Sequence, residues 1–172
     1  MSTKTERLQA SIAKSCDPEL TAKTSEILLS VPKATPKKQA KQIGECLNLL
    51  ISNHEDIAPI MRRCNCLSDS VLKKASALYE EAGGDLDLFL SLLNEQGIGG
   101  GHLTREEDGI HAVYTRCYCG IAKNAKDMPE SYCECSAGWF QHLFSSVLNR
   151  DVNVTILHTI LSGQQDCTFL IS

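Results

Sequence analysis

The sequence contains no apolar run approaching the roughly 20 residues that a membrane-spanning helix needs, so no span is predicted. Its opening stretch, MSTKTERLQASIAKS, is charged and polar throughout and lacks the apolar segment of a secretory signal. These two absences lead to the expectation of a cytoplasmic protein. A dense basic stripe is missing as well: 17 Lys and Arg stand against 21 Asp and Glu, a net charge of -4. Nucleic-acid affinity draws largely on clustered cations that release counterions, so no nucleic-acid partner is expected. Lys33, Lys37, Lys38 and Lys41 make a small cluster that fits a solvated helix face. HExxH, GxSxG, P-loop and GxGxxG motifs are all lacking, which leaves hydrolase, nucleotide and dinucleotide chemistry without motif support.

What is present suits a globular chain. At 172 residues it is long enough for one core or for two small lobes, and 42% hydrophobic with 22% charged residues argues against disorder. Residues 1–97 predict a bundle of helices with distinct start and stop signals. Asp17-Pro18 caps and opens LTAKTSEILL, with Pro32 beyond its end, and Thr35-Pro36 repeats the opening signal. In KKQAKQIGECLNLLIS, Ile43, Cys46, Leu47, Leu50 and Ile51 share one face, the spacing of a buried stripe that makes Cys46 a core residue. Ser68-Asp69 caps the next helix, Gly83-Gly84 ends it, and Asp85 or Asp87 opens another through LFLSLLNEQ.

From the glycines at 99–101 onward the pattern changes. Two strand-like runs flank Asp108-Gly109, a hairpin signal; SAGWFQHLFSSVLN has helical spacing; and two β-rich runs flank Gly163. The expected architecture is α+β: an N-terminal helical bundle, residues 1–97, packed on a C-terminal ββ-α-ββ antiparallel unit, residues 98–172.

Nine cysteines without an export signal point to ligands, reactive groups or small core residues rather than a disulfide framework. Six of them form three CxC pairs: Cys64 with Cys66, Cys117 with Cys119, and Cys133 with Cys135. Residues i and i+2 of a strand project from one face, so Cys117 and Cys119, following the VYT run, would present both sulfurs to one side. Cys133 and Cys135 open the helix SAGWFQHLF, where the positive dipole end favours thiolate over thiol. The polar loop between the two pairs allows them to close into a four-thiolate shell suited to zinc, iron or an iron–sulfur cluster. Small buried thiols, and nucleophilic or thiol–disulfide chemistry at Cys133 or Cys135 with His142 or His158 as base, are the competing readings. Cys64 and Cys66 follow Arg62 and Arg63 and form a candidate redox pair of their own. His102, His111 and His142 read as surface histidines, whereas His158, among Ile156, Leu157 and Ile160, is kept as a candidate ligand. Trp139 and Phe140 are candidate pocket residues beside the metal group.

From Tyr132 to Ile171 the string YCECSAGWFQHLFSSVLNRDVNVTILHTILSGQQDCTFLI resembles the C-terminal part of the 4-vinyl reductase domain, through a cysteine before a helix with Gly138, a strand near Val152 to Leu157, Gly163, and Cys167-Thr-Phe. The resemblance covers about a quarter of the chain. It implies an α/β ligand-binding fold in which cysteines and a glutamate hold zinc near a small hydrophobic ligand. By position, Cys135 or Cys133, and Cys167, would be ligands. This chain has Thr159 where that family has a cysteine, and His158 is the nearest substitute for its glutamate. The run from GGGHL through CYCG to YCECSAGW is also similar to a family of uncharacterised cysteine-rich bacterial and archaeal proteins.

The function expected on these grounds is a metal-holding domain, zinc first and iron or iron–sulfur next, that binds or senses a small hydrophobic or thiol-reactive ligand and leaves room for a homodimer. The ligand set is Cys117, Cys119, Cys133, Cys135, Cys167 and His158. The alternative is a thiol-dependent oxidoreductase or hydrolase using Cys133 or Cys135.

Overall fold

The computed structural model describes residues 3–29 and 34–172. Pro32, the expected stop of the second helix, and Lys33 of the basic cluster lie outside the described residues. Among the described residues the chain is mixed α and β, with helices mostly in the N-terminal half and a four-stranded antiparallel sheet built from the C-terminal part. No helix among them is long and apolar enough to cross a membrane. The division expected at residue 97 is not where the contacts divide: one compact unit comprises residues 1–66 and 117–136, the other 67–116 and 137–172. Residues 67–97 belong with the sheet because their apolar faces are buried there.

In the first unit, four helices follow local signals. α1 (Lys4–Ile12) starts at a reciprocal capping box, Thr3 Oγ1 accepting from the Glu6 N–H at 3.2 Å while Glu6 Oε2 accepts from the Thr3 N–H at 2.7 Å. α2 (Pro18–Leu28) is capped by Asp17, whose carboxylate accepts from the Leu20 N–H at 2.9 Å. α3 (Pro36–Ser52) buries Ile43, Cys46, Leu47 and Leu50, each worth on the order of 1.5–3 kcal/mol for the larger aliphatics. Ile51, expected on that stripe, is 43% exposed although it lies on the buried face, being the penultimate residue of α3. α4 (Ile57–Arg63) is capped by Asp56. Ser11 Oγ donates to the Ile60 carbonyl at 2.7 Å and the Arg63 guanidinium donates to the hydroxyls of Ser11 and Ser15, which fixes α1 on α4.

In the second unit, α5 (Asp69–Glu81) and α6 (Leu86–Glu95) begin at side-chain caps from Ser68 and Asp85. β1 (Leu103–Glu106) and β2 (Gly109–Tyr114) form the predicted hairpin, and β3 (Val154–His158) and β4 (Cys167–Ile171) complete the sheet in the order β1-β2-β4-β3. A Cβ on Gly109 would come within 2.5 Å of the Ile171 carbonyl oxygen, so the hairpin turn needs glycine there. α7 (Glu134–Leu148) enters this unit from Ala137 and supplies Phe140, Leu143 and Phe144 to a core completed by Phe89 and Phe169.

A candidate thiol site in the first unit

The structure brings together one sulfur from each CxC pair, and the organising group is a lysine that the sequence did not single out. Lys4, on the first turn of α1, donates from Nζ to the Cys64 carbonyl at 3.1 Å, interacts electrostatically with the Cys135 side chain, and lies 5.1 Å from the centre of the Tyr132 ring. The Cys64 thiol donates back to the Lys4 carbonyl at 3.6 Å. Tyr132 is 1% exposed, and its hydroxyl lies 3.2 Å from Cys119 Sγ. Lys4 and Tyr132 thus join Cys64, Cys119 and Cys135.

Local structure explains the convergence. Cys64 is the C-cap of α4, so the lock between α1 and α4 also sets Lys4 against it. Arg62, two residues earlier, donates from Nε to Glu134 Oε2 at 2.8 Å, and Glu134 opens α7 between Cys133 and Cys135. Cys119 lies in the irregular stretch after β2, reached through the bend at Thr115 and Arg116. The strand argument for Cys117 and Cys119 therefore fails: β2 ends at Tyr114, and Cys117 Sγ turns to donate to the Cys119 carbonyl at 3.7 Å.

The electrostatics also differ from expectation. Burial alone would draw the Lys4 ammonium down, but charge on Cys135, Cys64 and Cys119 and the hydrogen bond to Cys135 more than offset it, so its pKa is raised. Burial pushes the Cys135 thiol up despite Lys4 and a place in the first turn of α7. Removing the sulfur from water is the largest influence there, and the Lys4 ammonium only partly offsets it. Cys64 is raised by burial in the same way, with Lys4 and Arg7 opposing. Tyr132 is raised by burial and by Cys119 and Cys135, so it stays a neutral phenol.

All nine cysteines are free thiols. Cys64 is fully buried and Cys66 exposed, so the candidate redox pair sits in two different surroundings. Cys133, partly exposed, ends the 3-10 turn Glu130–Cys133. Cys46 is core as expected, its thiol pushed up to about 12 by burial. No three cysteine sulfurs among the described residues all lie within 4.8 Å of one another, whereas sulfurs around one tetrahedral zinc, at about 2.3 Å from it, stand roughly 3.8 Å apart.

The other expected ligands belong to the second unit. Cys167 is buried in β4 and accepts from the Ile160 N–H at 3.3 Å. His158 lies at the β3 irregularity with Nε2 2.6 Å from Asp166 Oδ1, a carboxylate also bonded by the Thr168 hydroxyl at 2.8 Å. Phe140 is fully buried, 5.2 Å between ring centres from both Trp139 and Phe169, so the two expected pocket residues are packing residues. His111 is engaged on the hairpin, with Nε2 2.8 Å from Asp108 and 3.8 Å from Glu106. These two exposed carboxylates and the half-buried His111 offer, among the described residues, potential ligand atoms that do lie within 4.8 Å of each other.

Comparison with curated proteins finds no match, and none of the solved structures matches either. Residues 20–172, which include every CxC pair, match one family along their whole length, and the chain belongs to it: the family of unknown function DUF6144.

Proposed function

We propose that the first unit holds a thiolate-ligated metal centre, with Cys64, Cys119 and Cys135 as inner ligands and an iron–sulfur cluster as occupant in preference to a single zinc ion. The observation that carries this reading is the Lys4 ammonium, bonded to the Cys64 carbonyl and placed among the Cys64, Cys119 and Cys135 thiols, with no carboxylate partner among the described residues. A desolvated cation is costly unless an anionic group accompanies it. Three thiolates on an iron–sulfur core leave that core net negative, and Lys4 is then its counter-charge and hydrogen-bond donor. That no three cysteine sulfurs among the described residues lie within 4.8 Å of one another suits a polynuclear core better than one tetrahedral ion. The role is that of a metal-holding binding domain. A thiol-enzyme reading requires a thiolate at neutral pH, and burial works against that at Cys135.

The test is anaerobic purification from iron- and zinc-replete medium, followed by metal and acid-labile sulfide analysis and a visible absorption spectrum. Iron with sulfide and a charge-transfer band, lost in Cys64→Ser, Cys119→Ser and Cys135→Ser, is the expected result. Zinc near one equivalent would replace the cluster by a mononuclear site. Folded, metal-free protein would overturn the proposal.

A further inference from the structure

Lys126 joins the lysine cluster of α3 around one concavity in the first unit. A cavity of about 390 Å³ lies between α3 and the segment 124–127, lined among others by Lys37, Lys38, Lys41 and Lys126. Its size lies within the range of small-molecule sites. The floor is Ala40 and Gly44, both buried, and a Cβ on Gly44 would come to 3.3 Å from the Asp127 carbonyl oxygen, so glycine permits the approach that shapes this wall. Asn48 adds a hydrogen bond from Nδ2 to the same carbonyl at 3.4 Å.

The charge here runs against the rest of the chain. Four ammonium groups face two carboxylates, Glu45 and Asp127, a local balance of +2 in a protein of net charge -4. Lys41 pairs with Glu45 at 3.6 Å, while Lys37, Lys38 and Lys126 make no ion pair among the described residues. Like charges around a concave surface focus a positive potential into it, and that potential is relieved by an anion. The opening turn of α3 adds to it, since it contains no acidic residue and Thr35 makes no side-chain cap bond. A local excess of two positive charges calls for more than one negative charge, and a phosphate group carries nearly two at neutral pH with acceptor oxygens that suit lysine as a point-charge partner.

We infer that the cavity bounded by Lys37, Lys38, Lys41 and Lys126 binds a small phosphorylated molecule. The inference is independent of the metal proposal, since none of these residues touches the thiol site.

Isothermal titration of the full chain with pyrophosphate tests it, at low and at physiological salt. Expected are saturable one-to-one binding that weakens with salt, and a loss of about tenfold or more in Lys37→Gln/Lys38→Gln/Lys126→Gln, from three exposed charge contacts together. These side chains are exposed, so circular dichroism should show the variant folded, and Lys73→Gln, an exposed lysine of the other unit, should leave affinity unchanged. No binding at millimolar pyrophosphate, equal affinity in the triple variant, or binding of citrate or duplex DNA as strong as that of pyrophosphate would each overturn the inference.

Discussion

Replacing Glu134 by glutamine removes a charge while keeping the shape of the side chain that joins α4 to the start of α7. The pair it makes with Arg62 spans 2.8 Å, with side chains only 26% and 18% exposed, so water screens it less than a surface pair. A hydrogen bond between charged groups contributes about 1.5–3 kcal/mol net, and a carboxylate in a first helical turn about 0.3–1 kcal/mol. Glutamine still accepts a neutral hydrogen bond, which retains about 0.5–1.5 kcal/mol of this. The expected loss is therefore about 1–2 kcal/mol, or a fall in melting temperature of about 2–8 °C for a chain of this size. Thermal and urea unfolding measure it, and a double-mutant cycle with Arg62→Met isolates the coupling. Because Cys133 and Cys135 flank Glu134 and Cys64 follows Arg62 closely, the proposed metal centre would require the same variant to bind metal less tightly. A coupling energy below about 0.3 kcal/mol would refute the claim that this pair fixes the two CxC elements together.

Other perturbations probe the remaining structure. Phe140→Ala empties the centre of the aromatic core and should cost about 3–5 kcal/mol in chemical denaturation, where a cost under 1 kcal/mol would contradict its packing role. Gly100→Ala should destabilise by more than about 1 kcal/mol, since its φ is +91° and the new Cβ would meet the Tyr114 ring at 2.5 Å. The Asp166 carboxyl is held below its usual range by the Thr168 hydroxyl and then by His158, so its contribution is present above the unfolded carboxylate pKa and is lost as pH falls through the lowered folded value. The stability difference between the native protein and Asp166→Asn should therefore shrink below about pH 4, and a pH-independent difference would count against this. In the metal-free protein a thiol reagent should modify Cys66 within the first phase and reach Cys46, Cys64 and Cys135 only on unfolding, as followed by peptide mass mapping.

Much of the local structure follows from nearest neighbours. Asp17-Pro18, Ser68 and Asp85 mark helix starts because a side chain three residues away satisfies an otherwise unpaired N–H, and Asp108-Gly109 marks the hairpin because the turn demands glycine. The stripe on α3 and the ββ-α-ββ order were legible for the same reason. The three CxC pairs were also plain, and with them the expectation that thiols matter.

What the sequence alone determined is the menu of elements and the three CxC pairs, since both depend on residue type and short spacing. Only the tertiary structure decided which cysteine of each pair turns inward, that Lys4 and Tyr132 join Cys64, Cys119 and Cys135, and that Cys167 and His158 lie in the other unit. Lys126 joining the lysines of α3 around one cavity was equally hidden. These juxtapositions link residues far apart in the chain, where packing, not periodicity, sets the distance, and where burial pushes a thiol up despite a neighbouring ammonium.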